Sequence, residues 1–461
     1  MTRFRSMLTR LVPTLALVAL GAGLFVALAP GEQRAIEAHL TGFPDSDVTA
    51  HRARLWVMGG LCLLPALAML GYGCGGTLDR YLTRLFAQTY ALCFGSLFMI
   101  WMLVDLGGGL GDFVKSGHPV RTALAYYGAR APAIVVLLLP YSLLLSLIYT
   151  LGKISRDREI VAMIQSGRSM LRLLAPLILA GLWSSLLCMG LNYHWAPEAE
   201  GRRKEILESA LGRPVTAAEN VLFFNPGERR MWKVGAFPKH YEKGEPLLAV
   251  DVTTTRPDGG IVFRVVAESA RWRRDGGVWV FDNPALSLYP DSAAPVFETV
   301  TGEVVQRDWP ETPWQIIRPG LEAGFLGVPD LNGWIDNHRH LPPEQRNRHA
   351  AAPYLTQWHN RWALPFSCLV TVLLAAPLSV HFSRRATGGG IFLAVVLAVF
   401  MLFSSNIVLT LGEGGLLPPA VAAWAPNAAF SLLGIHLLRS RITGRPLLAP
   451  LLRRLRRRPA G

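Results

Sequence analysis

Few residues in this chain have the types and spacing for chemistry, and those that do point to docking and charge rather than bond breaking. A short basic stretch runs from Lys153 to Arg172 between two long apolar runs. Within it Ile160, Met163, Ile164 and Gly167 recur at i, i+3, i+4 and i+7, the stripe of a short amphipathic helix. Ser155 is placed to cap the start of such a helix, and Gly167 to stop it. Asp157 and Glu159 bring negative charge to its first turn, where the helix dipole favours it. The spacing predicts a helix over 155–167. The plainer account of the same residues is a solvated loop whose arginines only set membrane topology.

The second charged candidate is Lys115. It closes a glycine-dense exit from an apolar run, Asp105-Leu-Gly-Gly-Gly-Leu-Gly-Asp112-Phe-Val-Lys115. Glycines this dense weaken a helix. A lone cation there either snorkels to lipid headgroups or meets the phosphates of a lipid substrate.

Catalytic chemistry finds no footing. No GxxxxGK[ST] occurs, so the chain has no Walker-type ATPase of its own. Gly71-Tyr-Gly73-Cys-Gly75-Gly76 fits GxGxxG, yet it ends an apolar run instead of following a strand. There is no GxSxG, no Ser/His/Asp arrangement and no meaningfully spaced carboxylate pair. His338, His340 and His349 lie close together, but their spacing is no established metal motif. All five cysteines, Cys62, Cys74, Cys93, Cys188 and Cys368, sit in or at the ends of apolar runs and read as small core residues. No metal and no cofactor is expected, and the chain does not read as an enzyme.

The elements that would position Lys115 and the basic stretch are membrane spans. Of 461 residues, 51% are hydrophobic and only 17% charged, where soluble domains carry about 25% charged residues. Eight runs are long enough to cross a bilayer: Leu11–Pro30, Leu55–Cys74, Phe86–Leu106, Ala131–Leu151, Leu173–Asn192, Trp362–Phe382, Ile391–Leu411 and Pro418–Leu438. The net charge of +14 invites a nucleic-acid reading, which its distribution rejects. Residues 1–10, 75–85, 153–172, 383–390 and the tail Arg439–Arg458 carry 20 basic residues, against six in the short loops of the opposite side. That is the positive-inside pattern with both termini cytoplasmic. The start of the chain resembles a signal peptide ending near Ala27-Leu28-Ala29, but Pro30 directly after argues for an uncleaved helix.

Residues 193–361 are nearly neutral, with 20 basic and 22 acidic residues. Between Val215 and Arg318 they read as strands. Leu247–Thr254, Ile261–Arg273 and Val278–Asp282 are separated by Pro-Asp-Gly-Gly and Asp-Gly-Gly turns. Val221–Phe224 and Met231–Ala236 flank Asn225-Pro-Gly. A sandwich or jelly roll is expected. Ile261–Arg273 carries apolar residues on both alternating faces, the pattern of a strand buried between layers or of a sheet with a lipid-holding face. Glu311–Arg361 reads as a solvated polar connector. The expected fold is therefore a polytopic α-helical membrane protein with an inserted periplasmic all-β, jelly-roll-like domain. Its parts are residues 1–77 (two N-terminal spans), 78–192 (three spans and the cytoplasmic helix), 193–361 (β domain and connector), 362–438 (three spans) and 439–461 (basic tail).

RDREIVAMIQSG, followed by a span and a β ectodomain, then PYLTQWHNRWALPFSCLV, then LGEGGLLPPAVAAWAPN before the last span, is an ordered set that resembles the LptF/LptG permeases of the lipopolysaccharide exporter. LDRYLTRLFAQTY at the first family span and Lys115 after it fit the same order. The resemblance covers about Leu78 to Arg439. It implies a six-helix permease half in the bacterial inner membrane, a periplasmic β-jelly roll, and a second permease half, the same or homologous. It further implies a cytosolic ATPase dimer docked on the coupling helices, a glycolipid substrate and periplasmic bridge proteins. On that resemblance Glu159 is the coupling-helix acid facing the ATPase, with Ile160, Met163, Ile164 and Gly167 around it, and Lys115 is a lysine near the lipid entry. Where the family can show two adjacent lysines, this chain has Val114-Lys115. The two N-terminal spans fall outside the six-span pattern. A different class remains beside this one: a membrane-anchored sensor or scaffold whose β domain binds a ligand.

Overall fold

The computed structural model describes residues 2–42, 47–212, 215–225, 227–239, 241, 244–273, 276–290, 294–340, 348–380 and 387–443. The turn at Ser383-Arg384-Arg385 and the tail beyond Thr443 lie outside the described residues, as do the side chains of residues 2–11 and of His340.

Two helices, α1 (Thr2–Gly42) and α2 (Val48–Cys74), form an antiparallel hairpin. They cross closely because Gly21 carries no Cβ, which would collide with the carbonyl oxygen of Cys62. Asp47 starts α2 by accepting from Thr49 N and Ala50 N, each at 3.0 Å. Buried Arg54 pairs with Glu32 across the hairpin.

Next come α3 (Thr77–Lys115) and α4 (Pro119–Arg156). At 39 and 38 residues they are about 57 Å long, well beyond the roughly 30 Å hydrocarbon core. The glycine-dense end of α3 stays helical to Lys115, contrary to the expected weakening. After it come α5 (Glu159–Gln165), α6 (Met170–Tyr193) and α7 (Trp195–Ala210), which runs from the membrane part to the sheet and packs along α4. The membrane core is built on α4. Leu139, Leu143, Leu147 and Leu151 recur every fourth residue, at most 1% exposed, and meet Leu173, Leu174 and Leu177 of α6.

The remaining helices are α8 (Pro313–Ile317), α9 (Val328–His340), α10 (Arg348–Ala363), α11 (Phe366–Ser379), α12 (Thr387–Glu413) and α13 (Pro419–Ile442). Among the described residues seven helices are long and apolar enough to cross a membrane, and α10 and α11, bent by 52°, reach that length and composition only when taken together as one pair. The run expected as one span from Trp362 is thus broken beside Pro365. Alone, α11 has 14 residues, about 21 Å, too short to cross. Nor is the connector before it a loop. It is largely helical, and Trp334 of α9 stacks on Tyr354 of α10 at 3.7 Å between ring centroids.

Among the described residues eight strands form the inserted all-β domain: β1 (Thr216–Asn225), β2 (Arg230–Pro238), β3 (Leu247–Thr255), β4 (Ile261–Arg273), β5 (Val278–Asp282), β6 (Ala285–Leu288), β7 (Val296–Thr299) and β8 (Glu303–Gln306). All pairings are antiparallel, and the hydrogen-bonded path is β1-β2-β3-β4-β5-β8. The sheet forks at β4, which pairs β6 through Phe263–Val266 and β5 through Ser269–Arg273; β7 joins β6. One face packs a core of Trp232, Val234, Val250, Val252, Val265, Trp279 and Phe281, closed by Trp309, Ile316 and Ile317. β4 is not buried between two layers. Val265 and Ala267 face that core, whereas Val266 is 42% exposed on the other side. A buried ion pair fastens the closing segment: Arg230 Nη1 donates to both oxygens of Glu311 at 2.9 and 2.8 Å beneath the Trp309 ring.

Candidate functional site

The stretch singled out in the sequence forms a helix, shorter than expected. α5 has seven residues, Glu159–Gln165. Ser155 does not cap it, because α4 continues through Arg156 and the break falls at Arg158, whose backbone is left-handed at φ 60°. The stop is as expected. Gly167 adopts φ +88°, and the two bonds of a Schellman motif close the end, Arg168 N to Met163 O at 3.4 Å and Gly167 N to Ile164 O at 3.0 Å. Ser169 then caps α6 by accepting from Arg172 N at 3.3 Å.

The apolar stripe faces inward. Ile160 is fully buried, Met163 is 7% exposed and Ile164 is partly buried, all against the core of α3, α4 and α6. Ile160, Met163 and Ile164, which the resemblance groups with Glu159 on the coupling helix, thus pack on the chain's own core and anchor the helix there. The outward face is Ala162, Gln165, Ser166 and Gly167, flanked by exposed Arg156, Asp157 and Arg158.

Both ends of α5 are strapped to the first turn of α3. Tyr81 OH donates to the two oxygens of Glu159 at 3.1 and 2.9 Å. Beyond the other end, Arg168 Nη1 donates to Asp79 Oδ1 at 2.5 Å, while Asp79 Oδ2 accepts from Gly76 N at 2.9 Å and so caps α3. Asp79, Tyr81 and Arg168 escaped the sequence reading. Their partners lie 78 and 89 residues away, and only the polar cluster at the head of an apolar run marked that turn. The helix they hold is the one its own chain covers least: none of the span window of α3 is buried inside the molecule.

Beside this turn, α2, α3 and α6 enclose a largely apolar groove of about 720 Å³, walled by Leu67, Leu70, Phe86, Tyr90, Leu179 and Trp183. Arg80 and Arg172 stand among its lining residues.

Lys115 lies at the opposite end of α3 and is exposed. The structure does not bring it near α5. It adjoins a second cleft, of about 920 Å³, between the α3–α4 turn (Ser116, His118, Arg121), α7 (Glu205, Ile206) and the sheet (Pro238, Leu248). A polar knot braces this end: Arg130 pairs with Asp105, lies over the Trp101 ring and donates to Tyr126 OH at 3.2 Å. At the root of α7, burial works to raise the Glu198 carboxyl, but His194 and Arg202 beside it hold it well below the usual range. Of the three close histidines, His338 stacks on Trp334 and His349 lies against Gly415.

Residues 80–440 match the family described as "Lipopolysaccharide export system permease LptF/LptG". The chain is also similar to the "Lipopolysaccharide export system permease protein LptF" of Escherichia coli (strain K12), with 26% identity over 366 residues, 78% of this chain and 93% of the relative. The proteins of the same description from Escherichia coli O157:H7 and Shigella flexneri give the same figures. The family match opens in the first turn of α3, beside Asp79 and Tyr81, and leaves α1 and α2 outside it.

Proposed function

The chain belongs to the LptF/LptG family of lipopolysaccharide export permeases, a multi-pass inner-membrane protein, and from that premise we propose that it is one half of an ABC-transporter permease whose cytosolic ATPase dimer docks on α5. The observation that carries this is the double strap. Tyr81–Glu159 and Asp79–Arg168 tie both ends of α5 to the first turn of α3, and Ile160 and Met163 seat it in the core. A push on α5 therefore moves the foot of α3 instead of being lost in a loop. The ATPase meets the outward face, Ala162, Gln165 and the neighbouring charges, while Glu159 offers it the carboxylate edge that Tyr81 orients. ATP hydrolysis belongs to that partner.

In this reading α3 and α12, whose span windows are 0% and 12% buried within the chain, face a second permease half and the lipid between the halves. The lipopolysaccharide or similar glycolipid then rises past Lys115 and the cleft beside it to the β domain in the periplasm, and from there to bridge proteins leading to the outer membrane. The uncovered side of the sheet suits that passage, since it carries Leu222, Phe224, Met231 and Val266 among Lys233, Asp251 and Arg264. Arg264 donates to Asp251 Oδ2 at 2.6 Å, so the charged part of that face is partly self-paired.

The test is co-purification of the permease with its ATPase in mild detergent. Ala162→Asp places a charge on the outward face without touching the core. We expect normal permease abundance and a loss of ATPase association of at least about tenfold, the scale of a disrupted docking contact. Full association of this variant would mean that α5 is not the docking element and would favour the scaffold reading.

A further inference from the structure

The α1–α2 hairpin lies outside the family match, yet its outer end is bound into the matched part by buried polar groups. His39, in the last turn of α1, and His51, in the first turn of α2, converge on Asp330, in the first turn of α9. His39 Nε2 lies 3.0 Å and His51 Nε2 3.5 Å from the same carboxylate oxygen, Asp330 Oδ1. The two imidazoles stack with centroids 4.5 Å apart. One ligand atom from each of the three residues falls within 4.8 Å of the others.

We propose that His39, His51 and Asp330 form a binding site for a divalent first-row transition ion, zinc above all, which clips the N-terminal hairpin to the connector helix α9. Three features carry this. First, the donor set of two imidazoles and one carboxylate suits zinc, cobalt or nickel, and not calcium or magnesium, which want more oxygen. Second, the spacing fits. Ligands about 2.0–2.2 Å from a tetrahedral ion sit about 3.3 Å from one another, and the two distances to Oδ1, 3.0 and 3.5 Å, bracket that value. Third, the site is built and buried. His51 is fully buried, and among the described residues neither of its ring nitrogens has a hydrogen-bond partner, although Nε2 is aimed at Asp330. A single proton shared with Asp330 leaves that arrangement incompletely satisfied, whereas an ion gives Nε2 and Oδ1 a common partner.

The surroundings hold the three ligands in place. Asp47 Oδ2 accepts from Asn332 Nδ2 at 3.2 Å, Trp358 Nε1 donates to Asn332 Oδ1 at 2.7 Å, and Tyr193 OH donates to Ala50 O at 2.9 Å. These bonds tie α2, α6, α9 and α10 around the cluster. The sequence could not announce the site. The two histidines stand 12 residues apart in separate helices, and the carboxylate comes from beyond the β domain.

The experiment uses the full chain in mild detergent, stripped with a chelator, incubated with zinc chloride and passed through gel filtration before metal analysis. We expect one zinc per chain in the wild type. Cobalt substituted for zinc should give the visible absorption of a low-coordinate ion. Asp330→Asn, nearly isosteric and so least exposed to misfolding, and His51→Ala should each weaken binding by more than about tenfold, since losing even a hydrogen-bond partner of a ligand costs about 10–100-fold. A control with His338→Ala and His349→Ala should keep it. Zinc should also raise the unfolding temperature of the wild type and leave that of Asp330→Asn unchanged. The proposal is overturned if the wild type emerges without zinc, or if zinc remains in the combined His39→Ala, His51→Ala, Asp330→Asn variant. Either result would mean that the cluster is held by shared protons alone.

Discussion

Glu159 is held by a neutral donor, and that allows two roles for it to be told apart. Glu159→Gln keeps an oxygen that can accept from Tyr81 OH, so the strap to α3 survives while the charge is lost. Tyr81→Phe does the reverse. If Glu159 meets a cation on the ATPase, Glu159→Gln should lower association by about 2–5 kcal/mol, as for the loss of one member of a buried charge pair. Tyr81→Phe should cost only about 1 kcal/mol, the net value of a hydrogen bond. Both are read as binding constants from the same membrane preparation, and equal effects would place the importance of Glu159 in the strap. At the other end of α3, Lys115→Glu should lower photocrosslinking of an anionic lipid to the purified protein with unchanged abundance; unchanged crosslinking would leave Lys115 as a snorkelling residue. At this scale the sequence was only half legible. The spacing of Ile160, Met163 and Ile164 marked one apolar face correctly. It could not say whether that face met the chain's own core or another molecule, because the same pattern serves both. Tyr81 and Asp79 were invisible as partners, since contacts 78 and 89 residues apart leave no periodic trace.

Helix and strand boundaries show where local chemistry suffices. The end of α5 was readable because Gly167 is the residue type that takes φ +88° cheaply. Its start was not, because the left-handed residue there is Arg158, a type that announces no turn. The hairpins of β3, β4 and β5 fell where Gly-rich turns put them, whereas the fork of the sheet at β4 depends on which strands pair, and that is settled by packing. The same holds for the segment that closes the β domain. Glu311, 1% exposed, is the only carboxylate against buried Arg230 within 3.5 Å among the described residues. Glu311→Gln should therefore destabilise the domain by about 3–5 kcal/mol, the cost of stranding a buried charge. Chemical denaturation of a soluble fragment from about Ala210 to Gly320, read by circular dichroism, checks this. An unshifted midpoint would mean that Trp309 and the apolar closure suffice alone.

For the whole molecule, the apolar runs gave the membrane class, and the Gly-rich turns between short strands gave the inserted β domain. They did not give the break between α10 and α11, because Gln357, His359, Asn360 and Arg361 read as the end of a polar connector, so the apolar run was taken to start at Trp362 with Pro365 inside it. The orientation remains a prediction at this scale. A reporter inserted in the turn at 256–260 should be active only outside the cytoplasm, and cytoplasmic activity would invert the scheme.

The docking of the hairpin also has a consequence in time. Asp47 and its partner Asn332 are separated by 285 residues. At about 5–20 residues per second of synthesis, the hairpin waits on the order of 15–60 s in the bilayer before α9 emerges. During that interval His51 and Asp47 lack the α9 neighbours that later bury them, and the Ala50 carbonyl waits about half as long for Tyr193, 143 residues on. The newborn hairpin is thus a long-lived intermediate with a polar, sticky end. Shortening the wait, by slowing nothing but bringing α9 earlier in a circular permutant, would change the yield of folded protein without changing one contact of the finished fold.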